Sequence, residues 1–419
     1  MMAAGAQGEH LFWAQERWRH LQRELLATHV RHSATSPLYR ELKLSTDQPL
    51  EELPLTTKDQ LATAGKQAWA VGPDQVREWV STSGTTGRPL DVPLTSGDLQ
   101  RLAENEATAL SLAGLRAGDL CLLAVAMDRL FVAGLAYHLG AGRIGAACAR
   151  IGPGVAAQPE LLGQIIDRLA GRDQRVFLIA VPSFLQRVES SALAGVIAIG
   201  EPTRTVSGAA NVLAAGLHQR LHCPIMSTYA LTETCATFAE SPLCAGGHLN
   251  PRLACLEILD AQTQQPVPDG HVGEVVITPL GVTGMPLLRF RTGDIAWKSA
   301  MPCPCGRTTP RLGPIVGRQQ QLLKIRGTSL YPSAILEALR MLPFFTDACL
   351  IATAEHALSD RVTVHVHIAP DNAATRGQLA STLKTLLRVT PEIVYVDPAA
   401  LTALQTSESR KPQRFIDRR

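Results

Sequence analysis

Between residues 80 and 228, short apolar runs alternate with longer segments whose apolar residues recur at helical spacing. No other feature restricts the chain as much. Residues 120–127, 176–180, 196–199 and 224–228 are predicted strands, and 95–115, 158–170 and 209–221 are predicted helices. Strands that are apolar throughout are buried on both faces, which calls for helices above and below a largely parallel sheet. Residues 253–260 and 272–279 read instead as antiparallel strands, with Asp269-Gly270 as their turn pair. Upstream, helical spacing over 11–30 gives way to a polar loop interrupted by Pro37, Pro49 and Pro54.

The character changes near Gly317. A short strand at 322–325 precedes a helix at 332–339, with Pro332 admissible in its first turn. Strands at 348–353 and 362–369, a helix at 375–387 and a strand at 393–396 complete a compact α+β unit. The expected architecture is therefore α/β, with a large multi-sheet domain over 1–317 and a small α+β C-terminal domain over 318–419.

Charge narrows the function. Forty basic against 37 acidic side chains leave a formal charge of +3. Apart from Arg410, Lys411, Arg414, Arg418 and Arg419 the basic residues are scattered. No basic face with interleaved aromatics is present, so a nucleic-acid partner is not expected. The apolar run at 120–127 is far short of a membrane span. Met1 to Glu9 lack the basic and apolar regions of a signal peptide, and the expected location is the cytoplasm. Nine widely spaced cysteines, an odd number, argue against a secreted disulfide scaffold. Cys121, Cys148, Cys223, Cys255 and Cys349 lie in apolar surroundings and read as small core residues.

The strongest local motif is Ser81-Thr82-Ser83-Gly84-Thr85-Thr86-Gly87-Arg88-Pro89. Its glycines permit a tight loop whose N–H groups converge on an anion, and its hydroxyls add donors. It is not a Walker loop, which ends in Gly-Lys-Ser/Thr before a helix.

This segment resembles the phosphate-binding loop of the adenylate-forming superfamily, and three further stretches follow in that superfamily's order. Ser227-Thr228-Tyr229-Ala230-Leu231-Thr232-Glu233 resembles the segment that stacks adenine on its tyrosine and positions magnesium with its glutamate. Arg291-Thr292-Gly293-Asp294 resembles the one whose aspartate holds the ribose hydroxyls. Gly317-Arg318, followed by Lys324-Ile325-Arg326-Gly327, resembles the hinge and the start of a mobile C-terminal domain. Near the end, Lys411-Pro412-Gln413-Arg414-Phe415-Ile416-Asp417 resembles the segment whose lysine enters the site for adenylation.

Within that superfamily the chain resembles the phenylacetate–CoA ligases. The resemblance lies in His138-Leu139-Gly140, Gly200-Glu201-Pro202, Cys303-Pro304-Cys305-Gly306-Arg307 and Leu330-Tyr331-Pro332-Ser333. It implies ATP with magnesium, an aromatic or compact carboxylic acid, and CoA as acceptor. The wider family also passes acyl groups to a carrier protein or an amine, and a non-catalytic adenylate-binding role is the minor alternative. A homodimer stays open as the assembly.

The resemblance assigns roles residue by residue. Lys411, Glu233, Thr232 and Arg318 are the expected catalytic set. Ser81, Ser83, Gly84, Thr85, Thr86, Gly87, Tyr229, Asp294 and Arg326 are the expected nucleotide contacts. The acid is expected between Phe131, Gly134, Ala136 and Tyr137 on one side and Gly200, Glu201 and Pro202 on the other. The charges suit the chemistry: a carboxylate attacking the α-phosphate needs amide donors, a metal and a cation to offset charge as it develops. Two positions depart from the family. Arg410 replaces the glycine before the lysine, and Gln319-Gln320-Gln321 follows Arg318 where acidic residues are usual.

Cys303 and Cys305 sit in a Pro-Cys-Pro-Cys-Gly turn, and Cys244 and His248 lie four apart in Cys-Ala-Gly-Gly-His. Together they make a Cys₃His set, the count and softness that suit tetrahedral zinc. Cys-x-Cys alone is a weak pattern. Some phenylacetate–CoA ligase relatives resemble zinc binders in these two regions, which implies a structural metal with no open position for substrate.

Overall fold

The computed structural model describes residues 9–82, 89–170, 174–325, 328–356, 359–406 and 412–419. Five parallel strands run side by side in the order Ala147–Arg150, Leu120–Leu123, Val176–Ala180, Leu193–Ile199, Ile225–Leu231. Alternate residues of each strand point to opposite faces, and the two faces carry separate cores. Leu120, Leu122, Leu178 and Val196 pack on Leu162 and Ile166 of helix Pro159–Ala170 and on Leu213 and Leu217 of helix Val212–Leu221. Cys121, Leu123, Phe177, Ile179 and Ile197 pack on Leu110 of helix Ser96–Leu112 and on Tyr137 and Ala141 of helix Val132–Ile144. Burial on both sides explains why these strands read as unbroken apolar runs.

Beyond Ile225–Leu231 the sheet turns antiparallel, through Ala236–Ala239, Gly247–His248, Arg311–Leu312, Phe290–Ser299, Val272–Pro279 and Ala254–Leu259. Ala254–Leu259 and Val272–Pro279 pair antiparallel as expected. Val76–Ser81 and Asp91–Thr95 form a separate antiparallel pair, and the latter leads straight into helix Ser96–Leu112. Thr95 and Asp98 close that helix with a reciprocal capping box. Asp98 also accepts the N–H groups of Thr283 and Gly284, at 2.7 and 2.9 Å.

The chain separates into two compact units, Met1–Thr292 with Ala296–Pro314, and Gly293–Ile295 with Ile315–Arg419. The second unit holds a four-stranded sheet in the order Glu392–Tyr395, Ser359–Ile368, Phe345–His356, Phe415–Arg418. Helices Pro332–Arg340 and Ala373–Leu387 contribute Ile335, Leu339, Leu379 and Leu383 to its core. Large α/β and smaller α+β parts are thus both present.

Three element ends differ from expectation. The strand expected over 120–127 stops at Leu123, and farther on Arg129 and Leu130, with left-handed φ values of 52° and 58°, turn the chain into helix Val132–Ile144. The helix expected from 209 starts at Val212, where the Asn211 side chain accepts the Ala214 N–H at 2.9 Å. The first helix runs Gln15–Ser33, and Leu11 belongs to a preceding 3₁₀ turn whose carbonyl binds the Thr308 N–H.

Candidate functional site

Strand Ile225–Leu231 ends the parallel part of the sheet, where crevices form at the carboxyl ends of strands. Its antiparallel partner Ala236–Ala239 sets Tyr229 opposite Phe238, with ring centroids 6.0 Å apart. The Thr228 hydroxyl donates to the Ala198 carbonyl at 3.3 Å, so the Tyr137 hydroxyl, 3.0 Å away, donates to Thr228. Tyr137 and Tyr229 are thereby linked through adjacent residues of one strand.

A tight turn over Thr232, Glu233, Thr234 and Cys235 connects the two strands. Cys235 adopts a left-handed φ of 44°. Its carbonyl is held by the buried guanidinium of Arg101 at 2.7 Å, which also binds the carbonyls of Leu280 and Leu253. Glu233 is only 5% exposed and faces Lys58 Nζ at 3.3 Å. Lys58 opens helix Lys58–Ala64, fixed by a capping box between Thr57 and Gln60. Neither Arg101 nor Lys58 was singled out from sequence. The Thr57-x-x-Gln60 box was a legible local signal, but its pairing with a turn 175 residues away was not.

Ser81 donates its N–H to the Leu130 carbonyl at 2.8 Å, so the start of the expected phosphate loop lies against the loop leading to Phe131. Phe131 is the half-buried N-cap residue of helix Val132–Ile144. Farther along that helix Ala136 and Tyr137 are buried. A side chain at Gly134 would place its Cβ 2.4 Å from the Ala126 carbonyl oxygen, so this glycine serves close packing. Gly200 turns the chain at a φ of 74°, and Glu201 accepts both the N–H and the hydroxyl of Ser183 at 2.9 Å. Pro202 is exposed, and its carbonyl accepts from Asn211 at 2.8 Å.

In the second unit Asp294 is a ladder partner of Arg318, and its carboxylate accepts from Arg318 Nε at 3.2 Å. Gln319–Gln321 form a 3₁₀ turn directly after that arginine. Ser83, Gly84, Thr85, Thr86, Gly87, Arg326 and Lys411 lie outside the described residues.

The four residues of the expected metal set do converge. One ligand atom from each of Cys244, His248, Cys303 and Cys305 lies within 4.8 Å of all the others. Cys305 Sγ stands 3.2 Å from both His248 Nε2 and Cys303 Sγ. A tetrahedral zinc with Zn–S near 2.3 Å sets its ligands roughly 3.8 Å apart, so the cluster has the right size. His248 is fully buried, and Thr309 Oγ1 meets its Nδ1 at 3.1 Å, leaving Nε2 toward the thiols. Burial, then Arg307 and Arg311, lower the imidazole pKa to about 4, which keeps it neutral as a ligand must be.

Glu240 connects this cluster to the strand that carries Tyr229. Its carboxylate is 2% exposed and accepts from Ser227 N at 3.0 Å, Gly246 N at 2.9 Å and Arg204 Nη2 at 3.0 Å. Ser227 begins the nucleotide segment, Gly246 lies between Cys244 and His248, and Arg204 follows Pro202.

Residues 10–285 match the family described as AMP-binding enzyme. A phenylacetate–coenzyme A ligase from Aromatoleum evansii is 28% identical, over 97% of this chain and 96% of that protein. Another, from Escherichia coli strain K12, is 30% identical over 69% of this chain and 66% of its own length. The fold is shared with a crystal structure of 2-hydroxyisobutyryl-CoA ligase in the postadenylation state. The TM-score is 0.84, at 22% identity over 98% of this chain and 92% of that one. The chain belongs to the AMP-binding enzyme family and is related to its phenylacetate–CoA ligases.

Proposed function

We propose that the protein is an AMP-forming ligase that activates an aromatic or compact carboxylic acid with ATP and passes the acyl group from the adenylate to CoA. The observation that carries this reading is similarity to a phenylacetate–coenzyme A ligase along nearly the full length of both chains. The described site supports it. Tyr229, backed by Phe238, offers a ring face to adenine. Asp294, oriented by Arg318, supplies acceptors for a ribose diol. Magnesium, when bound, offsets phosphate charge as the acid attacks, and the buried Glu233 would hold it. Lys58 Nζ, 3.3 Å away, holds that carboxylate in place. Thr232 flanks Glu233 in the same turn. Ser83, Gly84, Thr85, Thr86 and Gly87 would bind the phosphates through amides and hydroxyls, with Arg326 as a further nucleotide contact and Lys411 as the cation at the α-phosphate. The acid would lie beside Phe131 and Tyr137 and against the turn Gly200-Glu201-Pro202, whose carboxylate is already committed to Ser183.

The Cys244, His248, Cys303 and Cys305 cluster would hold one zinc ion as a structural clip, since four protein ligands leave no position for substrate. The second unit would swing as a lid about Arg318 between adenylation and thioester formation.

One assay separates the readings. Purified protein is incubated with ATP, magnesium and a panel of aromatic and small branched acids, and pyrophosphate is followed with and without CoA. CoA-dependent thioester with AMP is the expected result. Adenylate that accumulates equally without use of CoA overturns the choice of acceptor, and no turnover with any acid overturns the activity.

A further inference from the structure

Two cysteines outside the metal cluster meet across a strand ladder. Cys121 and Cys148 are register partners on the parallel strands Leu120–Leu123 and Ala147–Arg150. Both pack into the core that holds Tyr137, Phe177 and Ile179, so their side chains share one face of the sheet. Adjacent strands lie about 4.8 Å apart, within the roughly 4.4–6.8 Å separation of Cα atoms that a disulfide spans. Both are free thiols and neighbours across the ladder.

The two are not equivalent. Cys121 is fully buried, whereas Cys148 is half-buried on the strand at the end of the sheet order. The exposed His138 of helix Val132–Ile144 is close enough to act on Cys148 electrostatically. The neighbouring Cys121 thiol lowers the Cys148 pKa, with His138 and Arg150 adding to it against burial. Cys121 is shifted upward by Cys148 and by burial. Burial alone raises Cys223, and it is the main cause that raises Cys235, Cys255 and Cys349. One thiol of the pair is thus suited to attack and the other to resolve.

We propose that Cys121 and Cys148 form a reversible oxidation site for small hydroperoxides, with Cys148 attacking and Cys121 resolving. The Cys148 thiolate attacks the peroxide oxygen, the O–O bond breaks, and a sulfenic acid forms while water or an alcohol leaves with a proton. The Cys121 thiol then attacks the Cys148 sulfur. The S–O bond breaks, the S–S bond forms, and the hydroxyl leaves as water with the Cys121 proton. Two electrons pass from the two sulfurs to the peroxide, and a thiol reductant returns them.

The full chain is treated with hydrogen peroxide at neutral pH, quenched with an alkylating agent and mapped by tandem mass spectrometry. The expected product is a disulfide between the Cys121 and Cys148 peptides, with loss of two hydrogens, reversed by dithiothreitol. In Cys121→Ala the Cys148 sulfenic acid should persist and be trapped by dimedone. Cys148→Ser should abolish both products, and its half-buried position makes this the variant that keeps the fold. His138→Asn should slow alkylation of Cys148 in the untreated protein. The mapping separates these products from any oxidation at Cys303 and Cys305. Absence of the Cys121–Cys148 disulfide in folded wild-type protein overturns the proposal. So does alkylation of Cys148 no faster than that of Cys349.

Discussion

Glu106 is a carboxylic acid in the interior of the first unit, 3% exposed on helix Ser96–Leu112. One oxygen accepts from the Thr237 hydroxyl and, at 3.4 Å, from Asn105, and the other has no hydrogen-bond partner among the described residues. Burial raises its pKa from 4.5 to about 7, against the lowering effect of Thr237 and Asn105. The sign follows directly. Between pH 4.5 and 7 the folded chain keeps a proton that the unfolded chain has lost, so stability falls as pH rises through that window. The full effect is on the order of 3 kcal/mol, complete above the raised pKa. Glu106→Gln, neutral at every pH, should flatten the pH dependence of the melting temperature between pH 5 and about 7.5. An unchanged slope in calorimetry would mean that Glu106 is ionised in the fold. Gly134 makes a second point at this scale. It stands in the segment expected to bind the acid, yet its missing side chain is used against the Ala126 carbonyl. Substitution there therefore tests packing before it tests acid selection.

The turns between strands are where single residues organise whole elements. Glu240 ties together the start of strand Ile225–Leu231, the turn that presents Cys244, and Arg204 beyond Pro202. Glu240→Ala would leave the half-buried Arg204 guanidinium and two amide donors unpaired, at a cost below the roughly 3–5 kcal/mol of breaking a fully buried ion pair. The expected outcome is a fall in thermal stability together with a raised KM for ATP, because the strand carrying Tyr229 loses its anchor. A fall in stability with an unchanged KM would confine Glu240 to the fold. Nothing in the sequence marked this residue, since its partners lie 13, 6 and 36 positions away and no periodic pattern connects them. The elements themselves were legible for a physical reason. Val176–Ala180 is buried on both faces, preceded by Arg175 and followed after one residue by Pro182, so its apolar run nearly coincides with the strand. Strand 120–127 was overextended because Ala124, Val125 and Ala126 are as buried as the strand, although the ladder ends at Leu123. The Cys₃His set was legible as two short motifs, and what joined them was resemblance rather than spacing. The partnership of Glu233 with Lys58 needed the fold.

At the scale of the molecule, segments distant in sequence close the first unit, and the second unit secures its own end. His248 and Cys305 are 57 residues apart and 3.2 Å from each other, so a metal there would cross-link two loops of the antiparallel region. Protein purified without chelator should carry about one zinc per chain. Cys303→Ser should lower the melting temperature much more than it changes the preference among acids. Metal-free protein of undiminished stability would leave the cluster as thiols alone. Phe415–Arg418, just after Lys411 in sequence, is an edge strand, parallel to Phe345–His356. Arg414 is paired with Asp347 at 2.8 Å, and Arg419 binds Asp360 at 2.9 Å and the Leu322 carbonyl at 2.8 Å. On the upstream side helix Pro398–Gln405 is fixed by its Asp397 cap and by Gln405, which donates to Asp347. In sequence, Lys411 falls between helix Pro398–Gln405 and strand Phe415–Arg418. Under the proposed activity, Lys411→Ala should reduce adenylate formation by several orders of magnitude, because a cation is lost where charge develops. Thioester formation from presynthesised acyl-adenylate and CoA should continue at a rate close to that of the parent enzyme, because that step makes no demand on the lysine. Single-turnover measurements of the two half-reactions decide the matter, with circular dichroism as the check on folding. Equal loss of both half-reactions in a folded variant would remove Lys411 from the α-phosphate and place its role in holding the second unit together.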